Sequence, residues 1–106
     1  MRFADEFGFY ELNPFPGNNQ IVVSNHAFIH KTYRGQGHGK EQHLQRLRKA
    51  RELGYNYILC TVNKENEAEL HILEKYGWTM LEITYNSETE HDVTLWGRFL
   101  YSIPNE

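Results

Sequence analysis

"YRGQGHGKEQ", residues 33–42, sets three glycines at alternate positions between Arg34 and Lys40. An apolar run precedes it and a polar, helix-forming run follows. Each glycine costs roughly 0.5–1 kcal/mol relative to alanine in regular structure, so something needs bare backbone where a helix should begin. A glycine-rich turn between a strand end and a helix start lets several N–H groups point at one spot, and the helix dipole adds partial positive charge there. A phosphate or pyrophosphate suits such a loop, with Arg34 and Lys40 supplying charge at its edges. The alternative is a tight turn whose glycines serve only positive φ.

Outward from the loop, the chain changes period twice. Upstream, "FGFYEL" (7–12) reads as an aromatic strand and "NPFPGNN" (13–19) as turn chemistry. "QIVVSNHAFIH" (20–30) follows as the next strand. Downstream, Leu44, Leu47, Ala50 and Leu53 mark the apolar stripe of a helix over about 39–53, stopped by Gly54. "YNYILCTV" (55–62) reads as a short strand buried on both faces. A second helix is expected over 63–77, capped by Asn63 or Asn66 and ended by Gly77. "WTMLEITY" (78–85) and "DVTLWGRFLY" (92–101) alternate as a closing antiparallel hairpin joined by 86–91. The whole is expected to be one α/β domain over residues 1–106 with a mixed sheet, and strand 7–12 is read as an edge that could pair across a dimer.

The glycine spacing rejects two familiar phosphate loops. A P-loop needs four residues between its glycines and Ser or Thr after the lysine, whereas Glu41 follows Lys40 here. The dinucleotide fingerprint G-x-G-x-x-G fails against G-x-G-x-G. A third pattern fits: Arg34-Gly35-Gln36-Gly37-His38-Gly39 matches [QR]-x-x-G-x-[GA] after a strand ending "AFIHKTY". This resembles the pyrophosphate loop of the GNAT superfamily of acyl-CoA-dependent N-acetyltransferases. "VNKENEAELHILEKYGW" (62–78) resembles that family's later helix, with Val62, Asn66, Ala68, Glu74, Lys75, Gly77 and Trp78 at or close to the expected places. The resemblance covers about residues 20 to 101. It implies a largely antiparallel, twisted sheet with two main helices, N-terminally truncated relative to the usual fold.

The resemblance also assigns roles. Ala27, Phe28 and Ile29 would hydrogen-bond the pantetheine arm of acetyl-CoA through their backbone. Arg34, Gly35, Gln36, Gly37, His38, Gly39 and Lys40 would hold its pyrophosphate, the glycines being bare so that side chains do not collide with the phosphates. Asn66 would touch the pantetheine arm or cap its helix. The tyrosine that protonates the departing thiolate in many members is replaced by Leu73, leaving Tyr76, one turn on, as candidate acid or as packing. A glutamate base found in some members is replaced by Thr61. His26 is the candidate base, its ordinary pKa near 6.5 suiting the task, and by alternation it shares a face with Phe28 and His30; a half-exposed strand histidine without a role is the alternative.

With about 20 residues before the cofactor strand, the helices that usually wall the acceptor site have no counterpart. The acceptor cleft is then open, or is completed by a second subunit or a partner protein, and a protein lysine or other cationic amine is the expected acceptor. Glu82, Glu88, Glu90 and Asp92 in the closing hairpin would draw in such a cation, unless they form an ordinary solvated loop. The second reading is a CoA-binding or interaction module on the same fold with weak or lost chemistry.

Other classes fare poorly. The net charge of −3 argues against a nucleic-acid binder despite the basic loop. The His26/His30 and His38/His43 spacings lack metal geometry and no carboxylate or cysteine set completes a site, so no metal is expected. The single Cys60 reads as packing, and with no apolar run near the roughly 18 residues a membrane span needs, a cytoplasmic protein is expected. Phe7, Phe9, Tyr10, Trp78 and Trp96 read as core.

Overall fold

Two periodicities, broken by proline and glycine, generate the elements. A computed structural model describes residues 1–88 and 90–104; the 86–91 connection and the single-domain span therefore each include positions outside the described residues. The strands are β1 (Arg2–Ala4), β2 (Gly8–Phe15), β3 (Asn18–Ile29), β4 (Tyr57–Asn63), β5 (Thr79–Asn86) and β6 (His91–Phe99). The helices are α1 (His38–Glu52) and α2 (Glu67–Lys75), with a single 3-10 turn over Lys31–Tyr33. The strand order is β1-β2-β3-β4-β6-β5, and β1–β2, β2–β3 and β5–β6 pair antiparallel. The expected α/β fold, a largely antiparallel sheet with two main helices, is present.

The chain divides into two compact units: Met1–Ile58 with the segment from Phe99 onward, and Leu59–Arg98. In the first, β2 runs on through Asn13, Pro14 and Phe15, which the sequence suggested as turn. Pro14 is tolerated because the β2–β3 register slips between it and Phe15, and a proline at such an irregularity forfeits no regular ladder bond. The turn is Pro16–Gly17 alone, with Gly17 at φ +81°, a proline-then-positive-φ order common in type II turns. Strand 7–12 is not an edge: β2 lies between β1 and β3, and the edges are β1 and β5.

Helix α1 buries Leu44, Leu47 and Ala50 completely. Leu53, expected on the same stripe, is the C-cap and is exposed. His43 and Arg46 are buried on the helix as well; Arg46 donates to Ser24 Oγ at 3.2 Å and lies 3.2 Å from His43 Nδ1. Because a guanidinium offers only donors, His43 Nδ1 must be the acceptor. Burial holds the Tyr10 phenol above its ordinary pKa, an effect that nearby Arg46 opposes.

In the second unit, Asn66 caps α2, its Oδ1 accepting from Glu69 N at 3.2 Å. Asn63 instead turns the entry, accepting from Glu65 N. Gly77 at φ +85° follows the helix. Cys60, Val62, Leu73, Trp78 and Trp96 are buried, whereas every residue of β5 is exposed. Strand β4 alternates, with Ile58, Cys60 and Val62 buried and Thr61 exposed, so it is buried on one face rather than on both.

Candidate active site

The loop singled out in the sequence sits between β3 and α1, in the first unit. Gly35 (φ +78°) and Gly37 (φ +87°) occupy the left-handed region that disfavours a Cβ. Gly37 is the N-cap of α1 and, lacking a side chain, provides none of the usual capping; its carbonyl accepts from Glu41 N at 3.2 Å. The N–H groups of the first helical turn have no intrahelical acceptor by geometry and open toward whatever lies at the helix start. Gly39 differs from its two neighbours. It is helical, its φ is ordinary, and beyond its chain neighbours and own helical turns a Cβ built on it meets no heavy atom of the described residues within 4 Å. Nothing inside the chain asks for glycine there.

Aromatic packing holds the loop in place. The His38 ring stacks on Phe7 at 3.8 Å between centroids, and Tyr33 meets both rings edge-on. Phe7 and Phe9, expected in the core, are half-buried because they serve this face instead. Arg34 Nε donates to Ile29 O at 2.8 Å, and its guanidinium lies 4.9 Å from the Phe28 centroid. Gln36 Nε2 donates back to Thr32 O. Arg34 and Gln36 thus tie the loop to the strand end and 3-10 turn before it.

Just upstream, β3 carries a bulge. Phe9 pairs with Phe28 but Glu11 pairs with Asn25, so two steps of β2 span three of β3. The extra residue falls at His26–Ala27, and His26 sits at φ +52°. The strict alternation that placed His26 with Phe28 and His30 is broken by this bulge: His26, Ala27 and Phe28 are exposed in succession. Phe28 and His30 do share a face, their rings 5.7 Å apart.

The structure therefore gathers His26, Ala27, Phe28, Ile29 and Arg34 through Lys40 along one continuous stretch of the first unit. Asn66 and Tyr76 belong to the second. Asn66 is engaged as a cap; Tyr76 is half-buried at the end of α2, its carbonyl accepting from Arg98 Nε at 2.7 Å and Lys75 lying 5.6 Å from its ring. Leu73 is wholly buried. A Leu73→Tyr substitution should therefore overpack the unit, costing about 1–3 kcal/mol, and supply no accessible hydroxyl; thermal denaturation beside a turnover assay checks both halves.

Two residues that shape this stretch were missed in the sequence, Gly8 and Gln42. Gln42 Nε2 donates to Phe9 O and to Phe28 O, each at 3.2 Å. A Cβ on Gly8 would lie 2.0 Å from Phe28 O. A glycine inside an aromatic strand was the available signal, since it marks a bulge or a close backbone approach. For Gln42 the sequence carries no signal.

Among the described residues, no group of three or more His, Cys, Asp or Glu side chains is placed to hold a metal ion. No helix among them is long and apolar enough to cross a membrane.

A family model described as the acetyltransferase (GNAT) family matches residues 7–78, spanning β2, the bulge, the glycine loop and α2. The chain belongs to the GNAT acetyltransferase family. No curated protein matches the sequence. Solved structures agree in fold. A Bacillus subtilis acetyltransferase in complex with CoA superposes with a TM-score of 0.78 at 18% identity, covering 92% of this chain and 72% of its own. The ribosomal-protein-S18-alanine N-acetyltransferase of Escherichia coli gives 0.76 at 12% identity, covering 94% and 65%. The NatC complex bound to Gag peptide and CoA gives 0.75 at 19%, covering 86% and 59%. The GNAT chain here thus spans about two thirds of the length of such structures, and at these identities they speak for the fold alone.

Proposed function

We propose that this GNAT chain is an N-acetyltransferase that moves the acetyl group of acetyl-CoA to a primary amine by direct attack. The observation that carries the reading is Gly39: a helical glycine with an ordinary φ, facing open space at an uncapped helix N-terminus. A pyrophosphate lying there would explain it, because backbone N–H groups at a helix start bind anions and a side chain at 39 would stand in the way.

Acetyl-CoA, when bound, supplies an activated thioester. The N–H groups from Gly35 to Lys40 hold the pyrophosphate, the backbone of Ala27 to Ile29 aligns the pantetheine arm, and Asn66 is the proposed further contact. A strand N–H near Phe28 donates to the thioester oxygen, an interaction that strengthens as negative charge develops there. His26, exposed at the bulge, is the proposed proton acceptor for the attacking amine, directly or through water. Tyr76 is the proposed donor to the departing sulfur. A buried Leu73 in place of the family's acid favours the second reading, a CoA-binding module with weak chemistry.

For the acceptor we propose a protein lysine or another cationic amine. In the second unit, Glu65, Glu67, Glu90 and Asp92 line a cavity of about 470 Å³ together with Lys64, Tyr85 and His91. Its acids outnumber its bases, which suits a cationic guest. Strand β5, at an edge of the sheet with Met80, Leu81, Ile83 and Tyr85 exposed, supports a second copy or a partner protein completing the acceptor site. A cytoplasmic setting is part of the same proposal.

Calorimetry with acetyl-CoA and CoA, beside a Gly37→Glu control, then thiol release with pooled amine and protein acceptors, tests the reading. Binding lost in the control together with acceptor-dependent release supports the transferase. Binding without release moves the reading to the module, and no binding at all removes both. His38→Ala, which deletes the stack on Phe7, should loosen the loop and weaken acetyl-CoA binding by about tenfold, equivalent to about 1.4 kcal/mol; the same calorimetry checks it.

A further inference from the structure

Beside the β3 bulge, a side chain on α1 holds one peptide group of the strand. Phe28 O occupies the space that a side chain at position 8 would take, 2.0 Å from the Cβ that Gly8 lacks. The carbonyl therefore lies close against β2 at Gly8. Gly8 cannot supply it with a partner, since Gly8 N donates to Asp5 Oδ1 and Gly8 O accepts from Asp5 N. A backbone carbonyl pressed against a neighbouring strand is best held by a donor. Gln42 provides it, one turn into α1 and nearly buried, and the same Nε2 also donates to Phe9 O. One amide group thus spans both strands at the last regular pair before the bulge, where Phe9 faces Phe28.

The consequence lies on the other side of that peptide. No peptide bond here is cis, and in a planar trans peptide the N–H points opposite to the C=O. With Phe28 O drawn toward Gly8 and Gln42, the Ile29 N–H is directed away from β2 and α1. The flanking bonds agree: His30 N donates inward to Phe7 O, while Ile29 O faces the other way and accepts from Arg34 Nε. We propose that Gln42 is a positioning residue for the transfer reaction: by donating to the Phe28 carbonyl, it fixes the peptide whose Ile29 N–H is aimed at the place where the thioester oxygen of a bound acyl-CoA is to be polarised. Arg34 holds the next carbonyl from the loop side, so the Ile29 peptide groups are fixed at both ends.

This inference rests on the acetyltransferase reading for its chemistry but not for its geometry, and the test separates the two. Gln42→Met keeps the length and removes both donors; Gln42→Glu presents acceptor oxygens to two carbonyls at neutral pH. Gln45→Met, on the same helix, is the control for a packing effect. The first readout is the Ile29 amide resonance and its hydrogen exchange in the protein without cofactor. Both Gln42 variants should shift that amide and change its exchange rate, and Gln45→Met should leave both unchanged. The second is the KM-against-kcat split. Gln42→Met should lower kcat by about tenfold to a hundredfold, the range expected when a reacting group is misplaced by about 1 Å, with acetyl-CoA affinity within about twofold of the parent. An unmoved Ile29 amide overturns the proposal, and so does a kcat loss that Gln45→Met reproduces or that only tracks lower affinity. If the parent protein binds no acetyl-CoA, the acetyltransferase reading fails and the chemical half of the proposal fails with it. The amide resonance then still shows whether Gln42 sets the peptide.

Discussion

Gly39→Leu is expected to abolish acetyl-CoA binding while leaving the fold as stable as the parent. The two halves come from different observations. In the helix, glycine is less favourable than leucine by under about 1 kcal/mol, so replacing it should raise the Tm slightly or leave it unchanged. Among the described residues, beyond its chain neighbours and its own helical turns, no heavy atom lies within 4 Å of the new Cβ, and the φ needs no adjustment. A leucine side chain would nevertheless fill the space beside the first helical turn, where the phosphates need to approach bare N–H groups. Losing that approach should weaken binding by at least about 100-fold, or about 2.7 kcal/mol. Gly37→Leu makes the contrast. Its φ of +87° forces an L-residue into the left-handed region at about 1–2 kcal/mol, so affinity and stability should fall together. Calorimetry and thermal melts on the pair decide between the two meanings of a glycine loop. If Gly39→Leu binds acetyl-CoA like the parent, the loop is a tight turn and nothing more.

Local signals were legible in the sequence. Three glycines in five residues announce the loop because no helix start needs them all, and Asn66 announces a cap because its side chain can satisfy an N–H three residues on. What stayed hidden depends on partners distant in sequence. The bulge at His26–Ala27 is a property of the pairing between β2 and β3, so a period-of-two reading of β3 alone carried His26 onto the wrong regular face. Pro14 reads locally as a breaker, yet the register slip beside it lets β2 continue. Leu53 completes an apolar stripe by spacing, but α1 has already ended there and the side chain turns to solvent. Gln42 is one of two glutamines on a polar helix, and only the tertiary position of two carbonyls gives it a task. The site is therefore half readable: the residues offering backbone to a cofactor are marked by composition, and those that orient that backbone are not.

Gly8→Ala is expected to be the most destabilising single methyl that can be added near the site. Its Cβ would stand 2.0 Å from Phe28 O and 3.0 Å from Ile29 Cα, and both are backbone atoms that cannot swing aside as a side-chain tip can. Relief requires moving β2 away from β3 or turning the Phe28 peptide. The first separates strands whose pairing seats Leu12 and Val22 in the core; the second takes Phe28 O away from Gln42 Nε2. Either should cost about 2–3 kcal/mol, the upper part of the usual overpacking range, and lower the Tm by about 10–20 °C for a chain of this size. Thermal melts would measure the cost, and Gly17→Ala provides a reference, since its added Cβ meets nothing within 4 Å and its penalty comes from φ alone. If Gly8→Ala proves milder than Gly17→Ala, the Phe28 carbonyl is free to turn. The peptide whose direction Gln42 is proposed to set would then not be held by the fold.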